Sequence, residues 1–144
     1  EMALSRGASH CVDGSSTDSV AFQIREIVGE EGPDKIIETT GVKSVIELAY
    51  DLTHADGTCV LVGVPSEKAT IYTLPIHFNK TLTGSHGGGA VPQVDIPRIS
   101  RLVEAGKISF DNIITHEFPL SGINEALDVV KSGVAGRVLL NIGG

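Results

Sequence analysis

Residues 58–64, Thr-Cys-Val-Leu-Val-Gly-Val, form an almost continuous apolar run. A strand with one wet face alternates apolar and polar residues. A run without alternation belongs to a strand covered on both faces, as in a parallel sheet between helix layers. The flanking segments agree. Lys35–Thr40 (KIIETT) reads as a strand closing on Gly41. Between the two strands, Val45, Ile46, Leu48, Ala49 and Leu52 share one side of an amphipathic helix. Upstream, Val20, Ile24, Ile27 and Val28 recur at helical spacing. Thr17 or Asp18 can cap that helix, and Gly29 or Gly32 can end it. Strand, helix and strand joined by short links predict α/β architecture with right-handed crossovers.

The remaining segments extend this pattern and then change its rhythm. Glu1–Gly7 reads as the last turns of a helix stopped by glycine, and Ser9–Asp13 (SHCVD) as a short strand. Residues 70–84 look extended, with a strand at Lys80–Gly84 and a glycine cluster at 84, 87, 88 and 89. A third helix is predicted from Asp95, with Pro97 in its first turn and Gly106 at its end. Its inward stripe is Ile96, Ile99, Leu102 and Val103. Asn112–Phe118 reads as a strand. Ser121 then caps a fourth helix with Ile123, Ala126, Leu127 and Val130 inward, closed by Gly133. Arg137–Ile142 is the final strand.

Composition removes several function classes. The formal charge is −7 and the 11 Lys and Arg residues do not cluster, so nucleic acid is not an expected partner. No apolar run approaches the roughly 20 residues that cross a bilayer, and no signal-like start is present. Cys11 and Cys59 lie far apart beside apolar stretches and read as buried free thiols, which points to a reducing cytoplasm. His10 next to Cys11 supplies two ligands, short of a tetrahedral site. His54 and His77 read as surface or helix-end residues, and His116 as structural. Neither GxGxxG, HExxH nor CxxC occurs. No Ser–His–Asp or Cys–His set stands out either, so no catalytic residue and no metal ligand is assigned.

RGASHCVD, ETTG, LVGVP, LTGSHGGG, ITHEFPL, INEALDVVKSG and GRVLLNI follow one another along nearly the whole chain. In that order and spacing they resemble the C-terminal portion of the medium-chain, zinc-type alcohol dehydrogenases. The resemblance implies that residues 1–84 are the rear of a dinucleotide-binding (Rossmann) domain. That domain would be an incomplete doubly wound parallel sheet without its first two strands. Residues 85–144 would be an α+β return segment of the catalytic domain. It further implies NAD or NADP as cofactor, zinc held by ligands outside this chain, and an alcohol or aldehyde substrate. A homodimer or homotetramer, joined around residues 70–84, is also implied.

In doubly wound sheets ligands lie beyond the carboxyl ends of the strands. By resemblance, Thr39 and Thr40 would lie near the adenosine, and Val62, Gly63 and Val64 would line the nicotinamide and its ribose. Ser85, His86 and Gly87 would form the loop whose backbone holds the carboxamide. Arg137 would reach the pyrophosphate. Val62 and Val64 are expected to be core residues as well. The SHCVD strand would have lost its neighbour, and the strand at 35–40 would expose an edge that is normally central. A zinc-free quinone or enoyl reductase, or a non-catalytic α/β interaction module, remains an open alternative.

Overall fold

The computed structural model describes residues 2–14 and 17–143, without the side chains of 17–19. Glu1 and the capping roles of Thr17 and Asp18 therefore lie outside the described residues. The chain divides into two compact units, one through Gly89 and one from Ala90 onward.

The first unit is α1 (Met2–Ser5), α2 (Thr17–Val28), β1 (Lys35–Glu38), α3 (Lys43–Leu52), β2 (Thr58–Leu61) and β3 (Thr81–Gly84), with a short 3-10 turn at Leu74–Phe78 and another at Gly87–Gly89. The three strands form one parallel sheet in the order β1-β2-β3. This is the α/β architecture expected of the apolar run at 58–64. Helix α3 packs on β1 and β2. Its Ile46, Ala49, Tyr50 and Leu52 are buried, at the helical spacing seen in the sequence.

A helix leaves its last carbonyls without partners inside the helix. Here the Ala49 carbonyl still accepts the Thr53 N–H (3.2 Å), and side chains add to it and to the next carbonyl. The Thr53 hydroxyl donates to the Ala49 carbonyl (2.7 Å), and the Lys80 ammonium donates to the Tyr50 carbonyl (2.9 Å). Lys80 is 6% exposed and stands 4.8 Å over the centre of the Tyr50 ring. Burial pulls its pKa down, with Asp51 and Cys59 acting in the opposite sense. The Tyr50 hydroxyl in turn donates to the Tyr72 carbonyl (2.9 Å).

Two expectations for this unit are corrected. Ser9–Asp13 forms no strand, because a strand needs a hydrogen-bonded neighbour and no described strand lies beside it. Without a sheet to enter, Cys11 is exposed rather than buried. Cys59 is buried as expected, and burial raises its thiol pKa, with Thr53 and Lys80 acting in the opposite sense. Such a thiol is unreactive.

The second unit holds α4 (Pro92–Glu104), β4 (Ile114–Pro119), α5 (Ile123–Lys131) and β5 (Arg137–Asn141), with a 3-10 turn at Leu120–Gly122. Strands β4 and β5 pair in parallel and α5 packs on both. Helix α4 begins at Pro92 rather than Asp95. Proline suits a first helical position, and the Asp95 carboxylate reaches back to accept the Val91 N–H (2.8 Å). Asp95 thus stabilises a start that lies behind it, and Pro97 falls inside the helix.

The expected inward stripe of α4 is open: Ile96, Ile99, Leu102 and Val103 are all exposed. Ser121 lies inside the tight turn, and α5 starts from Gly122 without a side-chain cap. The Ile123 N–H bonds to the Leu120 carbonyl, so the turn does the work assigned to Ser121. Of the α5 face, Ala126 is buried. Ile123, Leu127 and Val130 line a shallow groove with Val138 and Leu140. No helix among the described residues is long and apolar enough to cross a membrane.

Candidate functional site

The sheet register pairs Glu38 with Leu61 and Leu61 with Gly84, so the carboxyl ends of all three strands finish in one row. Thr39 and Thr40, Val62 to Val64, and Ser85 to Gly87 leave from that row. Eight of the nine residues singled out from the sequence thus belong to neighbouring turns of the first unit. Arg137 does not: it opens β5 in the second unit, exposed, with its backbone N–H on the Ile113 carbonyl (2.9 Å).

The residue that organises the row is Glu38, which is 3% exposed. Its carbonyl accepts the N–H groups of Val62 (2.8 Å) and Gly63 (3.1 Å), which ties the end of β2 to the end of β1. Its carboxylate accepts the Thr40 N–H (2.6 Å), the Thr40 hydroxyl (2.5 Å) and the Gly41 N–H (3.1 Å to each oxygen). Burial alone would raise the pKa of this carboxyl. The bonds from the Thr40 hydroxyl, the Thr40 N–H and the Gly41 N–H outweigh burial and carry it below the ordinary value. Glu38 is therefore a carboxylate at neutral pH.

The sequence reading passed over Glu38. The available signal was parity: Glu38 shares its strand face with Ile36, the inward face. An acid there must be paired or neutral.

The two glycines of these turns are sterically required. Gly41 has φ +71°, and a methyl group on it would lie 2.5 Å from the Val64 carbonyl oxygen and 2.9 Å from the Val64 nitrogen. A methyl group on Gly63 would overlap the Gly41 nitrogen and lie 2.7 Å from the Thr40 carbonyl carbon. The backbones after β1 and β2 thus touch each other directly.

Beyond that contact the side chains turn outward. Val64 is 89% exposed and Val62 42%, so neither is a core residue as expected. Strand β2 ends at Leu61, and side chains past the last paired residue stand clear of the helix layers. Thr39 is exposed. The Thr40 hydroxyl is engaged within the turn, donating to Glu38 and accepting the Val42 N–H (3.0 Å).

After β3, the Ser85 N–H donates to the Leu61 carbonyl (2.8 Å), and the Ser85 hydroxyl accepts the Gly88 N–H (3.2 Å). Gly87, Gly88 and Gly89 follow with φ of 57°, 68° and 66°. Three successive left-handed residues are accessible to glycine at little cost. A methyl group on any of the three would meet nothing within 4 Å, so this turn borders open space. His86 is exposed beside it.

Metal chemistry does not fit the side chains present. No group of three or more His, Cys, Asp or Glu residues that could hold an ion occurs among the described residues, and a catalytic zinc takes three protein ligands.

A row of parallel-strand ends with glycine-locked turns is a ligand-binding arrangement common to many α/β proteins. Comparison with known families decides between them. Residues 1–105 match the zinc-binding dehydrogenase model. The chain belongs to the zinc-binding dehydrogenase family. Among curated relatives, alcohol dehydrogenase class-P of Arabidopsis thaliana is 31% identical over 140 residues, 95% of this chain and 37% of that protein. The NDMA-dependent alcohol dehydrogenase of Amycolatopsis methanolica is 32% identical over 92% of this chain and 37% of its own length.

Solved structures agree. The alcohol dehydrogenase zinc-binding domain protein of Burkholderia ambifaria matches with a TM-score of 0.84 and 32% identity, covering 99% of this chain and 39% of that one. Benzyl alcohol dehydrogenase of Acinetobacter calcoaceticus gives a TM-score of 0.85 at 25% identity, over 99% of this chain and 39% of that one. This zinc-binding dehydrogenase chain thus spans well under half the length of the relatives it matches, and it matches their C-terminal portion.

Proposed function

We propose that this chain forms the rear wall of the coenzyme cleft, and the return segment, of an NAD(P)-dependent alcohol dehydrogenase. The bound nicotinamide would supply the hydride acceptor or donor, and this chain's residues would position it. The carrying observation is the row of carboxyl ends at Glu38, Leu61 and Gly84, with backbone rather than bulky side chains at Gly63 and Gly87. Val62 and Val64 offer apolar side chains to a nicotinamide and its ribose. Ser85, His86 and Gly87 offer backbone groups to a carboxamide, Thr39 and Thr40 border the adenosine side, and Arg137 serves the pyrophosphate.

The zinc ligands and the phosphate-binding turn belong to a segment preceding this one. The alcohol dehydrogenase relatives favour a zinc enzyme acting on an alcohol or aldehyde. An apolar groove of about 210 Å³ along β1, lined by Val20, Ile24, Ile37 and Val45 among others, is open to cover by a further segment. Strand β1 lies at the edge of the sheet and Ile37 is 68% exposed. A further strand added there would cover both. Strand β3 is the opposite edge, and pairing of two such edges would give a homodimer, which a second interface would extend to a homotetramer.

The complete dehydrogenase should bind NADH or NADPH at micromolar concentrations in a fluorescence titration and reduce the oxidised cofactor when given an alcohol. A correctly folded complete protein that binds neither cofactor overturns the reading. Metal analysis of the same sample should find zinc, and size-exclusion chromatography with light scattering should find a dimer or tetramer.

A further inference from the structure

The two strand-end turns touch through glycine backbone, which brings no side chain of its own to the contact to fix their spacing. Gly41 and Gly63 contribute no side-chain contacts, Thr39 is exposed, and Val62 and Val64 point outward. What fixes the turns is Glu38. Its carbonyl holds Val62 and Gly63 from one side, and its carboxylate holds Thr40 and Gly41 from the other.

The carboxylate is acceptor-only, and three donors of one turn converge on it. Its amide counterpart would present one acceptor oxygen and one NH2 group. That NH2 would face an N–H of Thr40 or Gly41, donor against donor. The turn is thus matched to the charged acid specifically and not to the shape of a glutamyl side chain.

We propose that Glu38 is the positioning residue of the coenzyme cleft, holding the turns Thr40–Gly41 and Val62–Gly63 in the one arrangement on which a dinucleotide can lie. This rests on the functional reading above. Glu38 is buried beneath the turns and acts through their backbone, so its removal should weaken cofactor affinity and leave the chemical step nearly intact.

The test compares wild-type complete dehydrogenase with Glu38→Gln, and with Cys59→Ala as a control for loss of packing elsewhere in the same sheet. Glu38→Gln is expected to raise the NADH dissociation constant about tenfold, with kcat changed less than about twofold, since a charge-assisted bond is roughly twice as strong as a neutral one. Amide hydrogen exchange at Thr40 and Gly41 should quicken in the same variant. Cys59→Ala should lower the melting temperature and leave NADH affinity as it was.

A folded Glu38→Gln that binds NADH within about twofold of wild type overturns the assignment, as does an equal loss of affinity in Cys59→Ala. If Glu38→Gln does not fold, Thr40→Val and Thr40→Ser decide. Because Thr40 also borders the adenosine, exchange at Gly41 is read in the cofactor-free variants. Loss of affinity with faster Gly41 exchange in valine, both restored by serine, supports the assignment, and equal affinities or unchanged exchange overturn it. If wild-type protein binds no nicotinamide cofactor, the functional reading fails by itself. The exchange rates at Thr40 and Gly41 then still report whether Glu38 holds the turn.

Discussion

Gly41 and Gly63 show what sequence can and cannot convey about one position. That glycine follows each strand is plain in ETTG and LVGV, and it correctly signals close approach of backbone. That each glycine answers the other is a fact of register, which places Glu38 opposite Leu61 and so brings the two turns into contact. Gly63→Ala is expected to destabilise the protein by about 1–3 kcal/mol, the range for forcing an extra methyl into filled space. Denaturant unfolding measures it, and a loss under 0.5 kcal/mol would contradict the observed contact. Lys80 carries a comparable expectation. Replacing it by Met leaves the Tyr50 carbonyl without its partner inside a dry layer, a loss of about 1–3 kcal/mol by the same measurement. Composition assigns Lys and Glu to water; for Glu38 strand parity with Ile36 is a contrary signal, and for Lys80, just before β3, no such signal exists. Only the third dimension reveals what satisfies them.

Elements were more legible than residues wherever a hydrogen-bonded neighbour existed. Helix α3 follows from apolar periodicity, β2 from an apolar run without alternation, and β1 and β3 from short extended segments closing on glycine. Ser9–Asp13 failed because a strand is a property of two segments, and its second segment is not among those described. The start of α4 failed for a local reason, the backward reach of Asp95 to Val91. One link between elements is pH-sensitive. After α3, the His54 ring bonds Glu31 through Nε2 (3.1 Å) and Asp56 through Nδ1 (2.5 Å), joining the α2–β1 connection to the α3–β2 turn. Glu31 and then Asp56 hold the imidazolium and raise its pKa above the ordinary 6.5, against a small opposing effect of desolvation. A raised folded-state pKa means that the ring's contribution to stability is fully present below about 6.5. It is lost as pH climbs through the raised value. The melting temperature should therefore fall with rising pH across that interval in wild type and fall less in His54→Gln. Parallel pH profiles of the two proteins would show that the link contributes nothing.

At the scale of the molecule, apolar residues outnumber the places that cover them. Tyr50, Ile46 and Cys59 are the largest fully buried side chains among the described residues, and in the second unit Ala126 is the one buried hydrophobic residue among them. A chain offering one side of a cleft gains little from binding. A charged hydrogen bond contributes about 1.5–3 kcal/mol, and micromolar affinity requires about 8 kcal/mol. The 144-residue chain alone should accordingly show no saturable NADH binding at micromolar concentration in a fluorescence titration. Tight binding would mean that the cleft is complete without a preceding segment. The run Gly87–Gly89 closes the first unit with no side chain of its own; a methyl group on any of the three would meet nothing within 4 Å, and the backbone is tied to Ser85 and His86 (3.2 and 3.0 Å). An extra residue inserted there disturbs those two exposed bonds and no buried atom, so the melting temperature should hold while the proposed grip on the nicotinamide is lost. Architecture and ligand affinity can then be uncoupled at one peptide bond, which makes that bond the natural place for a regulatable switch to be engineered.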